Sequence, residues 1–130
     1  MFNRKHYQQI LIGAVFALGF AGSSFRAIAV PLTLQYQGQV LISGAAFEGA
    51  ARFKFAMVDS SEASLWSHDL SSQNGAEPTT GLMLPVTRGL YSIRLGDTGI
   101  SGMAAIPATV FTNDLIRLRV WFNDGTNGFQ

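Results

Sequence analysis

The sequence is marked by runs in which apolar side chains recur at every second position, and such a run has little choice but to become a β-strand. "LTLQYQGQV" sets Leu32, Leu34, Tyr36 and Val40 against Thr33, Gln35, Gln37 and Gln39. "ARFKFAM" sets Ala51, Phe53, Phe55 and Met57 against Arg52, Lys54 and Ala56. "LIRLRVWF" divides Ile116, Leu118, Val120 and Phe122 from Leu115, Arg117, Arg119 and Trp121. Successive side chains of a strand point to opposite faces, so each run is expected to have one dry face and one wet one. Shorter strand signals lie at Leu65–His68, Leu82–Thr87 and Leu90–Gly96.

The connections support the same reading. Ser43-Gly44 is a turn, Asp59–Ser64 a polar link, and Ser71–Gly81 a long loop rich in chain breakers. "TRG" between two apolar runs predicts a hairpin, with Gly89 in the left-handed position. Pro85 has no N–H to give to a ladder, so its strand is expected at an edge or with a bulge. Pro107 can open one short helical turn through Phe111. No segment holds a helical period for three turns. The fold class expected is all-β, a small antiparallel β-sandwich with one helical turn near Pro107–Phe111.

The first 29 residues read differently. Arg4 and Lys5 precede the apolar run Ile10–Phe20, and "AIA" (Ala27, Ile28, Ala29) supplies the small residues of a signal-peptidase site. The run is about a dozen residues against the ~20 that a membrane-spanning helix needs. The expectation is a signal peptide over residues 1–29, cleaved after Ala29, then a β-sandwich domain over 30–130 with no membrane span. Losing Arg4, Lys5 and Arg26 leaves six of nine basic residues against all eight acidic ones, a net −2 in place of +1. That balance gives no electrostatic case for nucleic acid. With no cysteine there is no disulfide framework and no thiolate chemistry, so an exported domain of this kind must be held by its core.

Catalytic patterns are missing. His68 and Asp69 are sequence neighbours, which a strand sends to opposite faces, so they do not form a dyad by themselves. "GISG" (Gly99–Gly102) lacks the spacing of a nucleophile elbow, and "GDTGISG" matches neither a P-loop nor a dinucleotide fingerprint. The carboxylates fall mostly in turn-like stretches, where backbone N–H groups are their natural partners. No cofactor is expected. The alternative is calcium on Asp114, Asn123, Asp124 and Asn127, although "NDGTNG" departs from the calcium-loop pattern. Aromatics are the other candidates, because Trp66, Trp121, Tyr36 and Tyr91 could stack on sugar rings. Trp121 shares the outward face of the last strand with Arg117 and Arg119, and an outward tryptophan needs cover from another sheet or chain. Trp121, Arg117, Arg119 and Trp66 therefore make up the candidate interaction surface.

"LQYQGQVLISGAAFEGAARFKFAMVDS", "LWS", "GLYSIRLGD" and "IPATVFTNDLIRLRVWFNDGTNGFQ", in this order, resemble the N-terminal β-sandwich module of large exported bacterial surface and fibre-like proteins. In those proteins the last strand leads into a stretch resembling "LSPRQPLTSVPYA" and then into repeats or fibre segments. The resemblance implies a secreted or surface display module and no catalytic residues. Asn123-Asp124-Gly125 reads as a hairpin turn whose returning strand starts near Thr126 and is cut short, leaving the preceding strand an open edge. The function expected is a non-catalytic, exported, extracellular, cell-surface or periplasmic module. Its partner would be a protein, or its own downstream segment, taken by strand addition. The alternative is glycan binding through the exposed aromatics.

Overall fold

A computed structural model of the protein describes residues 32–130. The expected signal peptide and its cleavage point after Ala29 lie outside the described residues. Among those described there are eight strands and one 3-10 turn. They are β1 (Leu34–Gln39), β2 (Leu41–Ile42), β3 (Ala45–Ala46), β4 (Gly49–Val58), β5 (Ser64–Ser67), β6 (Leu82–Val86), β7 (Leu90–Leu95) and β8 (Arg117–Asn123), with the 3-10 turn at Ala108–Thr112 between β7 and β8. Every ladder is antiparallel, and the all-β class read from the alternation holds.

β4 is the spine. Its residues Arg52–Val58 pair with β8, Gly49–Phe53 with β6 and Ala56–Val58 with β5. Arg52 and Phe53 face both β6 and β8, and Ala56–Val58 face both β5 and β8. A strand has only two edges, so β6 and β5 lie end to end along one edge of β4 while β8 takes the other. β1 and β7 form a second, two-stranded sheet. β2 and β3 form a minor hairpin around Ser43 and Gly44, both at positive φ, where the sequence alone predicts only a turn.

Pro85 explains why β6 and β7, although joined by a two-residue turn, end in different sheets. Arg88 and Gly89 have φ of 53° and 77°, the geometry of a tight hairpin turn, and Thr87 and Leu90 exchange both backbone hydrogen bonds at 3.0 and 2.9 Å. The next hydrogen-bonded pair in an antiparallel hairpin lies two residues further on and would need the N–H of residue 85. Proline has none. The hairpin opens there, β6 passing to β4 and β7 to β1.

The core is aromatic. Phe53 and Phe55 of β4 are fully buried. The Tyr91 ring of β7 stands 4.2 Å from Phe53, and that of Tyr36 of β1 stands edge-on to Phe55 at 6.3 Å. Leu82, Val86, Ile93, Leu95, Met103, Ile106 and Val110 complete it. The opposite face of β4, read as wet, is not: Lys54 is 7 % exposed and Ala56 and Val58 are fully buried. Sequence alternation cannot anticipate that the long connection folds back as cover. Lys54 Nζ bonds Glu77 at 2.7 Å and sits 4.0 Å from the centre of the Phe129 ring, while Gly75 and Pro78 of the same loop are buried. The helical turn arises as expected, with Pro107 one residue before it and its carbonyl accepting from Val110 N–H at 3.1 Å.

Candidate functional site

β8 carries three of the four candidate residues and does so with its predicted facing. Leu118, Val120 and Phe122 lie opposite Met57, Phe55 and Phe53 and pack against the core. Arg117, Arg119 and Trp121 lie on the other face. There Glu62, from the link after β4, forms ion pairs with both arginines, and Arg119 also donates to the Gly75 carbonyl at 2.7 Å. Nothing local in "DSSEAS" marks Glu62 for this role, because the contact exists only once the link folds over β8. Trp121 is half-buried beside its cross-strand neighbour Lys54. The cover that an outward tryptophan was expected to need thus comes from the same chain.

Trp66 does not belong to the surface. It is 3 % exposed, lies opposite Met57, and donates its indole N–H to the Ala105 carbonyl at 3.0 Å. This corrects the expectation of two tryptophans available to a partner or a sugar: "SLWS" has too little alternation to tell which side is dry, and tertiary packing decides.

The ion pairs are modest. Side chains of Arg117, Arg119 and Glu62 are 49 %, 38 % and 44 % exposed, so solvent screens them and each contributes about 0–1 kcal/mol. Arg117→Ala is expected to change unfolding free energy by less than about 0.5 kcal/mol. Arg119→Ala should cost about 1 kcal/mol because it also frees the Gly75 carbonyl. Urea melts at low and high salt check this, since only the ion-pair part should fade with salt.

The chemistry-bearing groups are held apart. His68 is fully buried, and its Nδ1 accepts the Phe55 N–H at 3.2 Å. Asp69 turns to its own loop: Oδ1 accepts from Ser71 N–H and Oγ, and Oδ2 from Thr80 N–H and Oγ1, at 2.6–3.0 Å. Partial burial pushes this carboxyl up, but the bonds from Ser71 and Thr80 outweigh it and hold it well below the usual carboxylate range.

The calcium alternative meets a turn already satisfied by protein donors. Asp124 Oδ1 accepts from the N–H groups of Thr126 and Asn127, its Oδ2 from Asn127 Nδ2, and Asn123 Oδ1 accepts from Gly125 N–H. Among the described residues no three His, Cys, Asp or Glu side chains are grouped to hold a metal ion. The same bonds revise the hairpin reading. The Asp124 side chain rounds the chain into a wide loop, and the return touches β8 only at Gln130, which exchanges two hydrogen bonds with Phe122 at 3.1 and 3.0 Å.

That rung fixes the geometry of the β8 edge. Phe122 points its peptide groups away from β4, and peptide groups alternate sides along a strand, so those of Leu118 and Val120 also point away. Among the described residues β8 pairs only with β4 and with Gln130, which leaves these groups open. The peptide groups of Trp121 face β4; the edge belongs to Leu118 and Val120. Their side chains are only partly buried. The ring contacts of β1 and β7 fall on Phe55 and Phe53 of β4, and Phe47 meets Phe122 at the far end of β8.

Among the described residues no helix is long and apolar enough to cross a membrane. No curated protein and no solved structure matches the chain. Residues 35–129, from the start of β1 through the loop after β8, match the family model described as Domain of unknown function (DUF8740), and the chain belongs to that family.

Proposed function

We propose that the protein is an exported, non-catalytic interaction module that joins a neighbouring segment or subunit by accepting a strand at the β8 edge. The observation that carries this reading is the edge itself, where among the described residues the peptide groups of Leu118 and Val120 have no partner and their core-facing side chains are only partly buried. Open edges template strand pairing, and folded proteins ordinarily blunt or cover them. In strand addition, backbone hydrogen bonds supply affinity and the alternate side-chain positions supply selectivity. The basic, apolar and small-residue order of the first 29 residues supports export.

A photo-crosslinking residue in place of Leu118, in living cells of the source organism, is expected to yield one discrete polypeptide adduct. The same residue in place of exposed Thr98 should yield none. Absence at position 118 of both an adduct and a crosslink to a segment of the chain outside residues 32–130 would overturn the docking role, and an intact mass that retains residues 1–29 would overturn cleavage after Ala29.

A further inference from the structure

Two asparagines stand directly before a glycine, Asn74-Gly75 and Asn127-Gly128. Glycine has no side chain to shield its nitrogen or restrict its backbone, so the asparagine amide before it is open to attack by the chain itself. From the geometry at the two sites we infer that Asn127 is a site of spontaneous deamidation and backbone isomerisation, and that the fold protects Asn74. In this reaction the Gly128 nitrogen gives up its proton and bonds to Cγ of Asn127, and the side-chain nitrogen leaves as ammonia, closing a succinimide ring. Water then opens the ring. Attack at the α-carbonyl breaks its bond to the Gly128 nitrogen and routes the main chain through Cβ and Cγ, giving isoaspartate with one more backbone atom; attack at Cγ gives aspartate. Water is the only co-reactant.

The sites differ in what holds the attacking nitrogen. Gly75 is buried, its N–H donates to Ser64 Oγ at 2.7 Å, and its carbonyl accepts from Arg119 at 2.7 Å. A methyl group built on Gly75 would meet the Glu62 carbonyl oxygen at 2.7 Å and Arg119 Nη1 at 2.6 Å, so this link has no room to swing into a ring. Gly128 is exposed and has open space where a methyl group would stand, and among the described residues its N–H has no partner. Asn127 is held only by Asp124, which accepts from its N–H and from Nδ2 at 2.9 Å each. Both bonds lie at the surface, where water competes for the same groups.

The consequence reaches β8. Asn127 lies in the loop that returns Gln130 to Phe122, and Gln130 Nε2 donates to the Asn127 carbonyl at 3.3 Å. Isoaspartate converts that carbonyl into a free carboxylate and lengthens the loop by one backbone atom. The lengthening displaces Gln130 and breaks the Phe122–Gln130 rung.

The test incubates the full chain, labelled with nitrogen-15, in mildly alkaline buffer. Mass spectrometry of the two asparagine peptides follows deamidation, and an isoaspartate-specific methyltransferase distinguishes the two acids. Conversion at Asn127 to isoaspartate is expected to run at least roughly tenfold faster than conversion at Asn74, because Gly75 must first be released by local opening. In urea the two sites should convert at similar rates. Amide exchange at Phe122 and Gln130 should rise in step with the isoaspartate, and Asn127→Gln should abolish both changes. The Asn127→Asp variant, which adds the charge without the extra backbone atom, should keep most of the protection at Phe122 and Gln130. No conversion at Asn127, conversion no slower at Asn74, or a difference that survives in urea would overturn the assignment. Unchanged exchange at Phe122 and Gln130 after conversion would overturn the effect on β8, and an equal loss of protection in Asn127→Asp would overturn the longer loop as its cause.

Discussion

Gly38→Ala is expected to cost about 3 kcal/mol of folding free energy, at the upper end of what overpacking a buried site costs. Gly38 of β1 lies opposite Tyr91 of β7, and the Tyr91 ring lies across the place where a side chain would stand. A methyl group built there falls 2.5 and 2.7 Å from ring carbons Cζ and Cε1, closer than carbon atoms approach without something moving. The ring cannot yield cheaply, since Tyr91 is 6 % exposed and its centre lies 4.2 Å from that of the fully buried Phe53 ring. For a domain of this size the loss corresponds to a fall in Tm of roughly 12–24 °C, measurable by circular dichroism. Gly38→Ala with Tyr91→Leu should cost less than the two single changes summed, because the double variant removes the clash. Strict additivity would show that Gly38 is needed for some reason other than the ring above it. The "YQG" run is thus a packing motif, its glycine matched to a tyrosine on another strand.

Asp69→Asn should destabilise the protein at neutral pH by about 2 kcal/mol, the order expected for hydrogen bonds to a charged group. The carboxylate ties Ser71 and Thr80, and so both ends of the long loop, to the strand end before it. An asparagine keeps the shape but turns an amine towards donors on one side. The pH dependence has a definite sign. Asp69 is held below its ordinary value of 3.8 in the folded state, so its contribution is fully present above about pH 4 and drains away as pH falls towards the lowered folded value. The gap between wild type and Asp69→Asn should therefore be widest near pH 7 and narrow below pH 4, as read from denaturant midpoints across that range. A gap that stays constant down to pH 2.5 would show that the negative charge is not what the loop uses.

Much of the fold was legible because it is local. Alternation alone sends Ile116, Leu118, Val120 and Phe122 inward and Arg117, Arg119 and Trp121 outward, and the register with β4 together with the packing of the four apolar residues on the core bears this out. Gly89 and Pro85 carry backbone requirements in their own covalent structure, so a hairpin turn and a strand edge could be placed without any partner. Trp66 was misplaced for the opposite reason. Its burial depends on a carbonyl in the segment before the 3-10 turn, at Ala105, far along the chain. The wet face assigned to β4 failed in the same way, because Glu77 and Phe129, which close over Lys54, are distant in sequence. At the chain's last turn, the local signal "NDG" was right about a reversal. It missed that the Asp124 carboxylate would widen the turn into a loop.

By itself the sequence determined an all-β domain: its longer strands, the dry faces of β4 and β8, the turns that need a left-handed residue, and the absence of a recognisable catalytic pattern. These follow from side-chain period and φ preference, which every residue carries with it. Only the tertiary structure decided which strands pair, that β4 is the spine, that the long loop clothes its outer face, and that among the described residues nothing pairs with the outer peptide groups of Leu118 and Val120 on β8. Peptide groups are the same in every strand, so pairing is degenerate at the level of the backbone. It is resolved by side chains such as Tyr91 over Gly38 and Phe53 beside Phe122, which meet only when the whole chain has closed around them.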